Sequence, residues 1–383
     1  MMKPSIFPAI RLITLLFLTI TSCAAKKPPI PPSPPLVSDG RRYDVVTVAD
    51  HLDHPWSVAF LPDGSFLVTE RSGHLLRIAR DGKARQEIVG LPRIAVEDQG
   101  GLLDVLLDPG FRTNQIIYLS FSAAGAGGTG TEVMRARLDG TSLSDTTTIF
   151  RALPKTPVSK QYGSRFLMAT DGKLLVTIGD KTDMQQAQNL GNHLGKVVRI
   201  NPDGSIPHDN PFLGTPGAQP AIFCYGNRNI QGIAIHPVTG MIWMHEHGPM
   251  GGDELNILKK GANYGWPLVT YGIDYSGEVI SDKATAPGIE TPVLQWTPCI
   301  APSGMAFCTG DRYPEWKGNL FIGSLVQRHL RRVVLDGDKV TGEQELFRDL
   351  KERIRDVRQG PDGYLYLLTD NDDGRLLRIV PTP

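Results

Sequence analysis

The 383-residue chain is long enough for one large domain or two of ordinary size, and it can bury a substantial core. Its 40 Lys and Arg residues balance 40 Asp and Glu residues, so net charge gives no support for a nucleic-acid partner or for binding to an anionic membrane surface. The 41 glycines and 30 prolines favour a globular fold with many turns.

Residues 1–22 predict an export signal. Lys3 and Arg11 flank an apolar run over residues 12–20, which is too short to span a bilayer as a mature helix. The run leads into Cys23 in a pattern that resembles the bacterial lipobox, in which the cysteine becomes the lipidated first residue. The alternative is an ordinary secretory signal with an incidental cysteine. Both predict an exported chain, and the lipobox predicts a periplasmic protein held at the membrane only by its lipid.

The segment after Cys23 predicts a tether and then the folded domain. Residues 23–42 are rich in proline, which favours a stiff, extended connection to a domain over residues 43–383. That domain holds Cys224, Cys299 and Cys308, an odd number for an oxidising compartment. One disulfide and one free thiol would fit this count, and the spacing does not select the pair.

A sequence pattern that predicts two consecutive strands recurs six times within the domain. Each copy has a turn, an alternating apolar strand, a polar connection and a second strand. The copies are residues 63–69 with 74–78, 114–120 with 132–138, 171–177 with 195–200, 239–244 with 253–257, 317–323 with 329–334, and 362–368 with 374–379. Their irregular spacing is typical of blades joined by loops of variable length.

Short strands, frequent turns and the absence of sustained helical periodicity predict an all-β fold. Six copies of one phrase predict a six-bladed β-propeller, since radial repetition protects the edges of the sheets. Two stacked sandwiches are the alternative, but they would not explain the repetition. A spare strand over residues 43–48 is expected to close the ring by joining the last blade. The long insertions at residues 207–229 and 262–303 are expected to build a site on one face.

Three polar turns predict binding chemistry. Residues 97–104 place Gln99 beside glycines that permit close approach of a ligand, and residues 224–232 place Arg228 among amides that include Asn229. Residues 245–256 gather two histidines, three carboxylates and three glycines around a proline. Such a turn offers the oxygen ligands that Ca²⁺ requires. Each turn also fits ordinary turn chemistry, but all three are expected to converge on one mouth of the channel.

A pair of arginines predicts an anion. In an extended segment Arg353 and Arg355 share one face, and Ile354 and Asp356 take the other. Adjacent guanidinium groups repel each other unless an anion lies between them, so a ligand with several carboxylates is one interpretation. The alternative is a solvated face on which Asp or Glu pairs with them.

Five short segments of the chain together resemble the motifs of one family. The matching segments are residues 246–249 (EHGP), 252–254 (GDE), 263–267 (NYGWP), 301–305 (APSGM) and 353–356 (RIRD). They are similar to the soluble dehydrogenases for aldose sugars that depend on pyrroloquinoline quinone (PQQ), in the glucose/sorbosone dehydrogenase family of six-bladed propellers. The similarity covers residues 43–381.

The resemblance implies a cofactor site at the mouth of the channel. PQQ is expected to lie flat there, with its carboxylates held by Arg228, Asn229, Arg353 and Arg355 and with Gln99 nearby.

The resemblance also implies metal sites and an activity. A Ca²⁺ ion is expected to join the carbonyl oxygens of Gly248 and Pro249 to the quinone, and a second, structural Ca²⁺ to use Glu254 and Tyr264. The implied reaction oxidises aldose sugars to lactones. Hydride leaves the anomeric carbon for the quinone, whose carbonyl the metal polarises, and electrons pass on to an external acceptor.

The chain departs from the family at the implied catalytic base. The family phrase begins with histidine, whereas residues 161–165 begin with Gln161; the other positions implied for catalysis are Asp180 and Arg228. A neutral amide can bind a hydroxyl group but cannot take its proton, and general-base catalysis is worth about 10²–10⁴-fold. Lys160 is expected to point away if its segment is extended, and His193 is expected to pack or hydrogen-bond locally.

A second departure is Val326, at the position of a lysine that binds the quinone in the glucose-oxidising branch. Arg328 is a candidate substitute, although two residues along the chain give it a different reach. The working hypothesis is a PQQ- and Ca²⁺-dependent sugar dehydrogenase. The alternatives are a catalytically impaired paralogue that binds PQQ or sugar, and a calcium-dependent propeller of the lactonase type. The last would leave Arg353 and Arg355 without an assigned anion.

Overall fold

The computed structural model describes residue 1 and residues 43–382, in which 24 strands form six antiparallel sheets of four strands each. The first strand is β1 (Tyr43–Leu52). The next twelve strands form three sheets: β2 (Pro55–Phe60), β3 (Phe66–Glu70), β4 (Leu75–Ile78) and β5 (Arg85–Glu87); β6 (Leu102–Leu107), β7 (Ile116–Gly125), β8 (Gly128–Asp139) and β9 (Ser142–Arg151); β10 (Phe166–Met168), β11 (Leu174–Ile178), β12 (Lys196–Ile200) and β13 (Ile222–Tyr225).

The last eleven strands complete the ring. They are β14 (Ile230–Ile235), β15 (Ile242–Glu246), β16 (Asp253–Ile257) and β17 (Leu294–Trp296); β18 (Pro302–Phe307), β19 (Leu320–Ser324), β20 (His329–Asp336) and β21 (Lys339–Leu346); β22 (Ile354–Gln359), β23 (Leu365–Thr369) and β24 (Gly374–Pro381). The six repeated phrases of the sequence correspond to the second and third strands of each blade, which confirms the six-bladed propeller.

The sixth blade joins the two ends of the described chain. Its strands follow the order β1–β24–β23–β22, and β1 pairs antiparallel with β24, so that Val45 lies opposite Ile379. The prediction that residues 43–48 close the ring is therefore confirmed. The pairing removes the free sheet edge that an open last blade would present to solvent.

The core lies between the blades. Each of six apolar clusters combines residues of two neighbouring blades. In β11, Leu174 and Val176 pack toward the second blade, whereas Leu175 packs toward the fourth. Successive side chains of a strand point to opposite faces of the sheet, and here both faces are covered. This explains why the inner strands read as continuous apolar runs.

Helices are minor elements of the described residues. They are α1 (Phe111–Asn114) and 3₁₀ turns at Met184–Gln188, Pro314–Trp316 and Arg348–Leu350. Within residues 43–382, no helix has the length and apolar character needed to cross a membrane. The predicted export signal, Cys23 and the tether lie outside the described residues, apart from residue 1. Cys224, Cys299 and Cys308 are all free thiols.

A buried charge network ties inner strands of different blades together. Arg165 lies 2.9 Å from Asp356, and Arg358 lies 3.0 Å from Asp356 and 2.8 Å from Asp104. Ser57 donates a hydrogen bond to Asp104. Because these residues come from the first, second, third and sixth blades, their hydrogen bonds fix the relative positions of inner strands around the channel.

Antiparallel blades also determine where the turns lie. The turn between the second and third strands and the connection from the fourth strand to the next blade emerge at the same end of the sheet. Residues from both kinds of connection, taken from all six blades, therefore meet at one mouth of the channel.

Candidate active site

A cavity of about 500 Å³ occupies that mouth. Turns between second and third strands supply Arg71, Asp180, Thr182, His247, Pro249, Leu325 and Val326. Connections between blades supply Gln99, Lys160, Gln161, Tyr162, Gly163, Arg228, Asn229, Ala301 and Arg353. The first strands contribute Trp56, Leu103, Gln231 and Arg355 where they enter the channel. The expected convergence of polar turns is confirmed, and both long insertions contribute wall residues.

Most of the residues that the sequence singled out line this one cavity: Gln99, Gln161, Asp180, Arg228, Asn229, Pro249, Arg353 and Arg355. Gly248 instead lines a neighbouring apolar cavity of about 570 Å³. This cavity shares five wall residues with the first: His247, Pro249, Tyr275, Ala301 and Val326. Glu254 and Tyr264 line neither of these two cavities. The structure thus brings together most of the residues implied for quinone binding, whereas Glu254 and Tyr264 lie apart from them.

Arg353 and Arg355 share an anion that belongs to the protein. The carboxylate of Asp370, just after β23, lies 2.7 Å from Arg353 Nη2 and 3.0 Å from Arg355 Nη2. Although burial disfavours its ionised form, Arg355 and then Arg353 hold the pKa of Asp370 well below its ordinary value. Both interpretations of this pair therefore have support, since a carboxylate pairs with the arginines and both arginines still line the cavity.

Arg228 lies against the glycine-rich turn. Its Nη1 donates to the carbonyl oxygen of Gly248 at 2.7 Å and to that of His247 at 3.3 Å. The carbonyl oxygen of Pro249 accepts a hydrogen bond from the thiol of Cys299 at 3.1 Å. The carbonyl groups of Gly248 and Pro249 are thus both turned toward donors. Oxygen atoms that accept from a cationic group are also of the kind that ligates Ca²⁺.

Two buried carboxylates lie behind this turn. Glu246 and Glu254 stand opposite each other on β15 and β16. Burial raises the pKa of Glu246 well above its ordinary value, the Glu254 carboxylate raises it further, and burial raises the pKa of Glu254 to about 7. The phenol of Tyr264 is hydrogen-bonded to Ile257 and Lys259. Among the described residues, no group of three or more His, Cys, Asp or Glu side chains forms a metal cluster.

Gln161 and Asp180 are adjacent in the cavity wall. The backbone N–H of Thr182 donates to Gln161 Oε1 at 3.1 Å and to Asp180 Oδ1 at 2.9 Å, and the indole N–H of Trp266 donates to Asp180 Oδ2 at 2.8 Å. Burial raises the pKa of Asp180 to about 6, against the opposing effect of Arg228.

The expectation that Lys160 points away from the site is wrong, since Lys160 also lines the cavity. The backbone of Gln161 is left-handed (φ 53°), so the segment is not extended and side chains do not simply alternate. His193 behaves as expected. It is buried, accepts a hydrogen bond from the Leu153 N–H and packs edge-on against Phe150.

Several wall residues were given no role in the site from the sequence, although Trp266 lies within the matching segment 263–267. Trp56, Trp266 and Tyr275 place aromatic side chains around the cavity, and Trp266 and Tyr275 lie 5.5 and 5.9 Å from the Arg228 guanidinium. Arg71 is half-buried in the wall, and within residues 43–382 its guanidinium has no hydrogen bond or ion pair. The aromatic content of the long insertion at residues 262–303 was the available signal for Trp266 and Tyr275; nothing in the sequence marked Arg71 or Asp370.

Val326 is 59% exposed and lines both cavities. Arg328 lines neither of them, so its side chain does not substitute for the lysine that the glucose-oxidising branch carries at position 326.

The fold and this site define a β-propeller enzyme class in which one channel mouth holds a polar cavity with cationic and aromatic walls. The chain belongs to the glucose/sorbosone dehydrogenase family of sugar-oxidising enzymes, whose family model matches residues 52–378. It is 43% identical to aldose sugar dehydrogenase YliI of Escherichia coli over 344 residues, which span 88% of this chain and 93% of that protein.

Solved structures agree with this assignment. The apo form of the soluble aldose sugar dehydrogenase from Escherichia coli is 42% identical, with a TM-score of 0.87 over 89% of this chain and 100% of that one. The PQQ-bound form of aldose sugar dehydrogenase from Streptomyces coelicolor is 28% identical, with a TM-score of 0.73 over 91% of this chain and 100% of that one.

Proposed function

We propose that this chain oxidises aldose sugars to lactones with bound PQQ and Ca²⁺ and passes the electrons to an external acceptor. One observation carries the proposal: Arg228, Arg353 and Arg355 bring three guanidinium groups into one cavity with aromatic walls. Such a cavity suits a flat ligand with several carboxylates. The PQQ-bound relative from Streptomyces coelicolor adds support.

The residues present fit this cofactor. Arg353 and Arg355 retain donors beyond those used by Asp370, because each guanidinium carries five N–H groups. Asn229 and Gln99 add neutral amides to the same wall. When bound, PQQ supplies a two-electron acceptor for hydride. The protein's part is to hold the carboxylates and keep water from the reacting atoms.

The metal assignment rests on carbonyl oxygens. The carbonyl oxygens of Gly248 and Pro249 would be ligands for a Ca²⁺ ion at the cavity. In the structure these oxygens accept hydrogen bonds from Arg228 and Cys299. A second ion would use Glu254, whose buried carboxylate faces Glu246 with like charge. Its position favours a cation, since two buried carboxylates that face each other cannot both ionise cheaply.

The sugar would be held by the remaining wall residues. The apolar faces of Trp266 and Tyr275 can pack against a pyranose ring, and the Gln161 amide can hydrogen-bond a hydroxyl group. The polar walls fit a substrate with many hydroxyl groups.

A specific observation also favours a second candidate function. Gln161 stands at the position of the family's histidine base, and an amide does not take a proton near neutral pH. The second candidate is therefore a protein that binds PQQ or sugar without efficient turnover.

Reconstitution of the purified domain with PQQ and Ca²⁺ distinguishes these functions. Dye-linked oxidation of a panel of aldoses, with Gln161→His beside the wild type, is the decisive measurement. Sugar oxidation by the wild type supports the dehydrogenase. Quinone uptake with activity only in Gln161→His supports the binding protein. Failure to take up quinone contradicts the dehydrogenase and also a protein that binds PQQ.

For localisation, we propose an exported protein anchored through a lipid on Cys23. Cell fractionation with Cys23→Ala as the comparison tests this. The wild type is expected with the membranes and the variant in the soluble periplasmic extract, and identical fractions for both would contradict the anchor.

A further inference from the structure

Hydride removal from a carbon that bears a hydroxyl group needs a partner that takes the hydroxyl proton. Gln161 cannot be that partner. Among the described residues that line the cavity, the side chains that could serve as a base are Lys160, Asp180, His247 and Asp274. The structure separates these four by their hydrogen bonds and surroundings.

Three of them are poorly suited. His247 Nε2 is 2.7 Å from the Pro302 carbonyl oxygen and so carries the hydrogen, and burial lowers the pKa of this imidazole to about 3. Asp274 lies in a surface turn where hydrogen bonds from Ser276 lower its pKa. Lys160 is half-exposed, and its ammonium group lies 3.6 Å from the carboxylate of Asp98, which already occupies it as a partner.

Asp180 differs in its geometry. It is 1% exposed, and its carboxylate oxygens accept from Thr182 and Trp266, which fix its orientation in the wall beside Gln161. Each oxygen retains an acceptor position, because a carboxylate offers about four in all. Burial raises the pKa of Asp180 to about 6, and a base whose pKa lies close to the working pH is the most effective.

The charged groups that act on Asp180 come from four neighbouring elements. They are Arg228, Asp183, Lys181, Lys196 and Glu246. Their charges are mixed in sign, so burial remains the largest influence on the ionisation of Asp180.

We propose that Asp180 is the catalytic residue that accepts the hydroxyl proton of the sugar, while the Gln161 amide beside it orients that hydroxyl group. The proposal rests on the proposed dehydrogenase function. The anomeric O–H bond breaks and its proton passes to the carboxylate. The hydrogen on the anomeric carbon leaves with both electrons of its C–H bond, and this hydride passes to the quinone. A C=O bond forms, so the sugar loses two electrons and the quinone gains them.

The test compares the wild type with Asp180→Asn and with the control Asp183→Asn, which removes an exposed carboxylate from the same turn. Asp180→Asn is expected to lower kcat about 10²–10⁴-fold. Its affinity for PQQ, measured by absorbance titration, is expected to stay within about threefold of wild type, which also shows that the variant folds. Asp183→Asn is expected to keep wild-type kcat.

The pH profile separates a base from a positioning residue. In the wild type, kcat is expected to fall as the pH drops through about 6, and this limb is expected to be absent from the residual activity of Asp180→Asn. Adding Gln161→His to Asp180→Asn is expected to restore at least about tenfold, because histidine supplies a new base.

A second readout needs neither cofactor nor turnover. The carboxyl infrared band of the quinone-free protein, taken as wild type minus Asp180→Asn, is expected to titrate near pH 6. A midpoint near the ordinary aspartate value of about 3.9 overturns the proposal. An Asp180→Asn variant that keeps wild-type kcat and the fall of kcat in acid also overturns the proposal, but this outcome does not contradict the dehydrogenase function. A wild type that binds PQQ but oxidises no aldose overturns both.

Discussion

Arg355 and Asp370 form a buried ion pair at the mouth of the channel, with Nη2 3.0 Å from Oδ2. The same carboxylate lies 2.7 Å from Arg353. One aspartate thus allows two neighbouring guanidinium groups to face the cavity together. It also means that the apo protein already balances part of the positive charge that a ligand with several carboxylates would meet.

Asp370→Asn is expected to lower the free energy of unfolding at neutral pH by about 3 kcal/mol, because it leaves the buried Arg355 without a counterion. The pKa of Asp370 is depressed in the folded state, so its ionised form stabilises the fold above pH of about 4. That contribution is lost as the pH falls through the depressed value. Urea denaturation across this range is expected to show the difference between wild type and variant shrinking in acid.

Asp373→Asn is the matched control, since Asp373 pairs with His51 at the surface and both side chains are at least 70% exposed. Its effect is expected to stay within about 0.5 kcal/mol. Equal losses in the two variants would contradict a special role for Asp370.

Substitution of either cavity arginine is expected to weaken quinone binding. A hydrogen bond to a charged group is worth about 1.5–3 kcal/mol, so Arg353→Gln or Arg355→Gln should raise the dissociation constant for PQQ about 10- to 100-fold. Equilibrium dialysis of the apo protein measures this directly. Arg375→Gln is the control, because Arg375 pairs with Glu352 and does not line the cavity. Unchanged affinity in both cavity variants would argue against the assigned carboxylate contacts.

The fold was predictable because each blade repeats one local pattern. The continuous apolar run of strands such as β11, with Leu174 and Val176 on one face and Leu175 on the other, follows directly from the burial of both faces between blades. The closing strand could be inferred for the same reason, because an unpaired strand at one end of the repeats needs a partner at the other.

The site was only partly predictable. Arg353 and Arg355 stand out in sequence, but Asp370 lies 15 residues beyond Arg355 and becomes their partner only when β22 and β23 pair. Lys160 was misplaced because alternation assumes an extended backbone, and Gln161 adopts a left-handed one. The unpaired guanidinium of Arg71 is visible only once the turns of several blades have met.

Removing β1 is expected to open the ring. A chain that begins at residue 53 lacks the strand that pairs with β24 and the buried side chains of Ala49 and Leu52. A chain that begins at residue 43 is the matched control. Thermal unfolding followed by circular dichroism is expected to show a large loss of stability in the shorter chain only, with aggregation through the exposed edge of β24. Equal melting temperatures would contradict closure by this strand.

Calcium is expected to stabilise the protein through the carboxylates behind the glycine-rich turn. Binding at a concentration about 100 times the dissociation constant adds about 2.7 kcal/mol to the free energy of unfolding. Glu254→Gln is expected to remove most of this increment, and to stabilise the chelator-treated protein because it relieves the repulsion with Glu246. Glu278→Gln, which changes an exposed carboxylate, is expected to respond to Ca²⁺ as the wild type does. A calcium response that survives Glu254→Gln would contradict the use of this residue.

A lysine at position 326 is expected to tighten quinone binding. Val326 is 59% exposed and lines the cavity beside Leu325, so a longer side chain can extend there without displacing the core. An ammonium group at this position adds one charge-assisted contact to a carboxylate, worth about 1.5 kcal/mol or roughly tenfold in the dissociation constant for PQQ. Val326→Met has similar length without the charge and is expected to bind PQQ like the wild type. Absorbance titrations of the three proteins decide the matter: an equal gain in both variants would point to apolar packing, and no gain in Val326→Lys would show that its ammonium does not reach the bound quinone.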